Sequence, residues 1–287
     1  MMKTRREFIK QASLAASATV LLPSCVASSD KNMLPKIGVQ LYTVRNEMDA
    51  DALGTLKKVA DIGYKKIEAA SYIDGKGYGY AASELKTILG DLDLQMISGH
   101  AGLDIFRNQF DQYLDFMAEV GQEYAVLPWL PTEDRSAIDQ FKEYAALLNT
   151  SGEKAQKMGL KVCYHNHDFE FIPIDGQLPM DILLTETDPN LVQFELDLYW
   201  ISKVNLKPAD FFMQNEGRVP LWHVKDMANT PEQGFAEVGT GTIDFPSIFA
   251  KKDVSGMKHF FVEQDKSDNP LKSIETSYRN LTEKILV

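Results

Sequence analysis

From Lys36 onward the chain alternates between two kinds of hydrophobic pattern. Short apolar and β-branched runs fall at Lys36–Val44, Lys65–Ala70, Leu94–Ser98, Tyr124–Trp129, Lys161–His165, Val192–Leu198, Leu221–Lys225 and His259–Glu263, and runs of this length and makeup read as buried strands. Longer amphipathic segments separate them. Asp51–Ile62 sets Leu53, Leu56, Val59 and Ala60 on one helical stripe, and Ala82–Leu92 and Asn108–Val120 repeat that spacing. Thr132–Met158 is the longest, and its acidic opening, Glu133 and Asp134, suits the positive end of a helix dipole. Met180–Glu186, Lys207–Gln214, Phe245–Lys252 and Asn269–Leu286 complete the set. Gly63, Gly121, Gly159 and Gly217 stand where a helix C-cap favours glycine.

Strand starts recur every ~25–40 residues, the length of one strand–helix unit. Eight such units predict a (β/α)8 TIM barrel. An open doubly wound sheet is the alternative, but the turn after the first strand, Leu41–Arg45, lacks the glycines of a dinucleotide fingerprint. No second-domain boundary follows residue 34, so residues 35–287 are expected to form one domain.

Residues 1–34 read differently. Thr4-Arg5-Arg6-Glu7-Phe8-Ile9-Lys10 has the twin-arginine export pattern, and the apolar run Ala12–Leu22 is too short to span a bilayer. Leu22-Pro23-Ser24-Cys25 resembles a bacterial lipobox, making Cys25 a candidate lipid anchor, although Pro23 is unusual there. Ser28–Leu34 reads as a linker. The expectation is an exported protein, periplasmic or held as a membrane-anchored lipoprotein. After such a leader only Cys163 remains, so no internal disulfide can form. The full chain is 44% hydrophobic, 25% charged and carries a net charge of −11. That is globular composition, and its acidity argues against a nucleic-acid partner.

In a barrel, reactive groups gather at the C-terminal ends of the strands. The polar residues there, strand by strand, are Gln40, Tyr42 and Arg45; Glu68 and Tyr72; His100; Trp129; His165, His167 and Glu170; Glu195, Asp197, Tyr199 and Trp200; His223, Lys225 and Asp226; Glu263 and Asp265. His259 begins its strand and reads as structural. His165 and His167 are two residues apart, so in a strand they share a face. Strands five to eight each offer one metal-type ligand: His165, Asp197, His223 and Glu263. This mixed nitrogen and oxygen set suits one divalent ion, Mn, Zn, Co or Fe rather than Mg. Each residue also has a structural reading: Asp197 as a turn cap, Glu263 as a partner of Lys225. Lys225 is read either as a donor to a developing oxyanion or as an ion pair with Asp226 or Glu195. Trp129, Trp200, Tyr72 and Tyr42 either wall a sugar ring or pack the barrel. Arg45 is a candidate for an anionic substituent or a ring hydroxyl, and His100 for substrate binding. Gly239-Thr240-Gly241 either presents amides to a phosphate or sugar oxygen or forms a plain turn.

The motifs IGVQLYTVR (37–45), YHNHDFEF (164–171), FELDLYW (194–200), WHVKDM (222–227), EVGTGTIDF (237–245) and FVEQD (261–265) resemble those of the xylose isomerase-like barrels, the sugar phosphate isomerase/epimerase family. The resemblance covers the chain from about residue 35. It implies a divalent metal held by His165, Asp197, His223 and Glu263, a carbohydrate substrate and, by analogy alone, a homo-oligomer. Many relatives carry Glu at the strand-five ligand position, and there the two metal-bound glutamates form an acid/base pair. Here that position is His165. Glu263 is one candidate for proton transfer; His167, Glu170, Lys225 or a metal-bound water is left for the second. The expected activity is metal-dependent isomerisation or epimerisation of a neutral or keto-sugar by proton abstraction beside a carbonyl. Keto-glycoside cleavage or dehydration at the same site is the alternative. An endonuclease IV-like phosphoesterase and a non-catalytic sugar-binding lipoprotein are the more distant ones.

Overall fold

The computed structural model describes residues 36–287. The twin-arginine pattern, the lipobox with Cys25 and the linker lie outside the described residues. Eight parallel strands close a barrel: β1 (Gly38–Gln40), β2 (Lys66–Ala69), β3 (Gln95–His100), β4 (Tyr124–Leu127), β5 (Lys161–His165), β6 (Val192–Asp197), β7 (Leu221–Val224) and β8 (His259–Val262). Each strand pairs with its sequence neighbours, and β1 closes the ring on β8 with Gly38 opposite Phe261 and Val39 opposite Val262. The helices between strands bury one stripe each against the sheet, as Leu56 and Val59 do from Ala52–Ile62. Among the described residues no helix is long and apolar enough to cross a membrane.

Side chains alternate across a strand, so Cys163 and His165, Glu195 and Asp197, Leu221 and His223, and Phe261 and Glu263 are same-face pairs. The lower members are apolar on three of these strands: Cys163, Leu221 and Phe261 form a buried cluster with Ile97, Tyr124 and Val126. The N-terminal end of the barrel is tied by its own polar contacts. Lys66 Nζ lies 2.8 Å from His259 Nδ1, and Lys161 Nζ donates to Tyr124 Oη at 3.2 Å. Burial, with Lys66, Lys161 and Lys258 nearby, lowers His259 to about 4. His259 is therefore a neutral structural group at the end away from the other four histidines.

Several elements are shorter than the hydrophobic pattern implies. The run Lys36–Val44 leaves the barrel at Gln40, because the Gln40 side chain accepts the Tyr42 amide and starts a 3-10 turn over Leu41–Val44. The segment Thr132–Met158 is a short turn, Thr132–Asp134, and a separate helix, Ile138–Lys157. Gln140 Oε1 accepts the amides of Ser136 and Ala137, which restarts the helix. Phe245–Lys252 is likewise two helices, Phe245–Phe249 and Lys252–Ser255. The helix expected from Asn108 begins at Phe110, after a π turn over Ile105–Gln109. The one expected over Asn269–Leu286 is regular only through Pro270–Asn280. A helix that the pattern does not predict, Leu198–Lys203, leaves β6 directly. Beyond β7, Asp226–Met227 pairs antiparallel with Phe235–Ala236.

Candidate metal centre

Four side chains converge at the C-terminal end of β5–β8. His165, Asp197, His223 and Glu263 each direct one ligand-type atom into a space where these atoms lie within 4.8 Å of one another, and all four residues are buried. The converging atoms His165 Nε2, Asp197 Oδ2, His223 Nδ1 and Glu263 Oε2 have no hydrogen-bond partner. Buried acceptors without donors are costly. The Lys225 ammonium stands 2.9 Å from Asp197 Oδ2 and 2.7 Å from Glu263 Oε2, close enough for ion pairing but without hydrogen-bond alignment. The set thus fits a divalent cation in number, chemistry and unmet need.

For three of the four ligands the second polar atom explains the orientation. His165 Nδ1 lies 3.0 Å from the Pro128 carbonyl oxygen, which can only accept. The proton therefore sits on Nδ1, and Nε2 presents its lone pair to the centre. His223 Nε2 lies 2.5 Å from Glu68 Oε2, an arrangement that leaves Nδ1 for the centre. Asp197 uses Oδ1 to accept the amides of Tyr199 and Trp200, which starts the helix Leu198–Lys203, and turns Oδ2 inward. Capping and ligation are both available to this one residue.

A second group lies on the other side of His223. Glu68, His100, Glu195 and His223 also bring ligand-type atoms within 4.8 Å of one another. Here donors and acceptors alternate. His100 Nε2 is 3.1 Å from Glu195 Oε2 and 3.4 Å from Glu68 Oε2, and His223 Nε2 is 3.3 Å from Glu195 Oε2. Gln40 Nε2 donates to Glu68 Oε2 at 2.8 Å. His100 thus belongs to a buried ring, with its imidazole 5.2 Å from that of His165 and 5.3 Å from that of His223.

Electrostatics follow from this crowding. Burial pushes the Asp197 carboxyl up, but the Lys225 ammonium and His165 outweigh it and hold the group at about 2. Burial would raise Glu263 too, and Lys225 and His223 keep it well below the carboxylate range. Burial would discharge Lys225, yet Asp197, Glu263 and Asp265 hold its pKa well above the usual lysine value. Burial also opposes charge on His223, and the carboxylates of Glu195, Glu263 and Glu68 overcome it. A proton and a cation therefore compete for His223 Nδ1, and rising pH favours the cation. His167 behaves oppositely: burial, then His165 and Lys225, keep its pKa far below the usual imidazole value. Its ring lies 5.0 Å from that of His165 and 5.3 Å from that of Trp200, and its Nδ1 is buried and unpaired.

Other residues singled out in the sequence fall into different settings. Glu170 is fully buried and both its oxygens are engaged: Tyr164 Oη donates to Oε1 at 2.7 Å and the His167 amide to Oε2 at 2.8 Å. It shapes the loop that carries His167, and the structure does not bring it into the four-ligand group. Lys225 pairs with Asp197, Glu263 and Asp265, not with Asp226 or Glu195. Asp226 instead takes the amides of Met227, Gly239, Gly241 and Ile243. The Gly239 and Gly241 amides are therefore spent on a carboxylate, and the phosphate-facing reading of Gly239-Thr240-Gly241 gives way to a turn. Tyr72 is buried against Tyr113 and Phe116, with ring centres 4.7 and 5.0 Å away. Trp129 is 46% exposed, with the Arg135 guanidinium 5.7 Å from its ring. Arg45 lies over the Tyr42 ring at 4.2 Å and donates to the Tyr42 carbonyl. Trp200 and Phe235 stand near Lys225, at 5.8 and 5.7 Å from Nζ. Arg45 and Phe235 also line a polar cleft of about 610 Å³ that includes Asp265. Sequence reasoning gave no particular role to Gln40, Glu68 or Asp265, and to Glu195 only that of a partner for Lys225. The alternation Glu195-Leu196-Asp197 carried a usable signal, since it puts both carboxylates on the barrel face.

Known proteins share this architecture. Among solved structures, a sugar phosphate isomerase/epimerase from Parabacteroides distasonis is 26% identical, with a TM-score of 0.74, over 93% of this chain and 100% of that one. An IolI protein with a bound zinc atom, 16% identical with a TM-score of 0.66 over 86% of this chain and 97% of that one, shares the fold. Curated relatives include the inosose dehydratase of Lactiplantibacillus plantarum, 29% identical over 51% of this chain and 55% of that protein. The inosose dehydratase of Geobacillus kaustophilus is 23% identical over 73% of this chain and 79% of its own. The chain spans about half the length of the first of these dehydratases. The model of the xylose isomerase-like TIM barrel family matches residues 56–284, well over half of the sequence, and the protein belongs to that family.

Proposed function

We propose that the protein is a metal-dependent enzyme that abstracts the proton next to the carbonyl of a neutral keto-polyol or keto-sugar and then expels a β-hydroxyl as water. The observation that carries this reading is the set of four buried ligand-type atoms, His165 Nε2, Asp197 Oδ2, His223 Nδ1 and Glu263 Oε2, that meet without an aligned hydrogen bond at the reactive end of a barrel. A divalent ion held there supplies Lewis acidity toward a carbonyl and its neighbouring hydroxyl. His167 is neutral, with an unpaired Nδ1, and is the group that takes the C–H proton. The C–H electron pair forms the new C=C bond as the β C–O bond breaks. The departing hydroxyl carries away the proton that His167 holds, so the products are an unsaturated ketone and water. Lys225 keeps a positive charge beside Asp197 and Glu263 and offsets negative charge developing on the substrate oxygen. Glu170 fixes the His167 backbone. Trp200 and Phe235 supply apolar faces near Lys225.

His165 at the strand-five position and the likeness to inosose dehydratases support elimination over epimerisation. Isomerisation or epimerisation is the second reading. Epimerisation needs a return proton from the opposite face and isomerisation one at the neighbouring carbon; Glu263 is the residue proposed to relay it, and the likeness to a sugar phosphate isomerase/epimerase favours this reading. NMR in deuterated water separates the two. Metal-loaded protein is offered keto-inositols and keto-sugars. Elimination gives olefinic signals with loss of one hydroxyl, whereas epimerisation gives deuterium at one carbon of an otherwise intact ring. His167→Ala is expected to abolish both. If the loaded wild-type protein gives neither signal, the carbonyl-directed reading is wrong.

A further inference from the structure

Phe235 apart, the lining of the polar cleft beside the centre has no part in the chemistry above. Its volume is about 610 Å³, and none of the four converging ligands lines it. That volume lies well within the range of small-molecule sites. The cleft meets the centre at Asp265, whose Oδ1 accepts from Lys225 Nζ at 2.7 Å, and at Phe235, 5.7 Å from the same nitrogen. The cleft thus abuts the centre across the Lys225–Asp265 ion pair.

The charges of the lining select the ligand. Lys272 is paired with Glu275 at 2.8 Å, and Asp265 with Lys225. That leaves Arg45 and Lys266 against Glu237 and Asp268, two of each sign. A phosphate site concentrates positive charge and free amides. Most amides of the two amide-rich features nearby are already taken. At the start of the helix Pro270–Asn280, Pro270 has no N–H, Asn269 Oδ1 accepts the Lys272 amide, and the Asn269 carbonyl accepts the Ser273 amide. At the turn beside Glu237, Asp226 holds the Gly239 and Gly241 amides. The remaining side chains of mixed sign, with Asn46 and Ser267, are donors and acceptors for hydroxyl groups.

We infer that this cleft binds a neutral, hydroxyl-rich unit joined to the reacting ring, a glycosyl group or a comparable polyol. The preferred substrate is then an unphosphorylated compound larger than one ring. The proposal rests on the carbonyl-directed reading for what happens to the ring, but its binding prediction stands apart from turnover. Calorimetric titration of the Mn²⁺-saturated protein with glucose, cellobiose and glucose 6-phosphate tests it. Cellobiose should bind at least about tenfold more tightly than glucose, and glucose 6-phosphate no more tightly than glucose. Asn46→Trp and Asp268→Trp, at exposed positions of the cleft wall, should each bring cellobiose down to the level of glucose. Equal affinity for one ring and two, an advantage for the phosphate, an advantage untouched by both tryptophans, or no binding of cellobiose would overturn it. Failure of the carbonyl-directed reading shows separately, as intact cellobiose binding with no exchange or elimination in deuterated water.

Discussion

The two sides of His223 carry the same residue types and opposite chemistry. Each side groups two histidines with two carboxylates: Glu68, His100, Glu195 and His223 on one, His165, Asp197, His223 and Glu263 on the other. On the Nε2 side, imidazole nitrogens and carboxylate oxygens alternate at 2.5–3.4 Å, so shared protons bind the ring. On the Nδ1 side, four ligand-type atoms meet without an aligned hydrogen bond, and only the ion pairs of Lys225 and the 2.8 Å approach of His223 Nδ1 to Glu263 offset their charges. The lesson is that ligand types alone do not mark a cation site; what marks it is where the protons of those ligands have already gone. Pro128 and Glu68 hold the outer nitrogens of His165 and His223, and by doing so they leave the inner ones empty-handed.

The strongest way to break this contrast is to remove the residue both sides share. His223→Ala should weaken Mn²⁺ binding more than a hundredfold, beyond the effect of losing a supporting group alone. It should also lower the unfolding free energy by about 3–5 kcal/mol, because Glu68 and Glu263 lose a buried partner. Metal titration and urea unfolding measure the two, and wild-type affinity in this variant would remove the centre as described.

Glu170 tests the proton half of the contrast. It is another fully buried carboxyl, supplied with two local donors and no cation, and burial raises its pKa to about 8. The folded state therefore keeps a proton that the unfolded state releases. Stability from this group is full below pH ~4.5 and is lost as pH rises toward 8. From pH 6 to pH 9 the wild type should lose about 3 kcal/mol relative to Glu170→Gln, which mimics the protonated form. Urea unfolding at both pH values reads the difference, and parallel pH profiles would mean that Glu170 is already ionised at pH 6.

The smallest effect sharpens the boundary between the two sides. Glu68→Gln keeps an acceptor for His223 Nε2 but removes its charge, and should weaken Mn²⁺ or Co²⁺ binding about tenfold with an altered Co²⁺ absorption spectrum. An unchanged spectrum and affinity would confine Glu68 to the inner ring.

The barrel was legible because its signal is repetitive. Eight apolar runs at regular spacing locate all eight strands to within a few residues, and the four ligands stand at corresponding ends of β5–β8. What could not be read depends on which local donor captures each acceptor. Glu170 and His167 look equally available in YHNHDFEF, yet only His167 keeps an unpaired nitrogen, because the loop folds its amide onto Glu170. Asp226 looks like a partner for its neighbour Lys225, yet the turn through Gly239 and Gly241 claims it. The early end of β1 was hidden because a single side chain, Gln40, ends it. Glu68 lacked a role, and Glu195 had only the wrong one as a partner of Lys225, because their partners come from β3 and β7 and nothing local in the chain announces those contacts.

Barrel closure has a consequence for the order in which the molecule is finished. All four ligands lie between residues 165 and 263, and Glu263 follows the strand that zips onto β1 across a separation of more than 200 residues. Such a contact forms late, since a long loop must be ordered before it is rewarded. A chain stalled before β8 therefore holds three ligands and an open seam. An ion that needed all four residues would therefore wait for β8 to dock on β7, the pairing that brings Glu263 to His223, and its loading would report that the last strand is in place, with only the seam to β1 left to close.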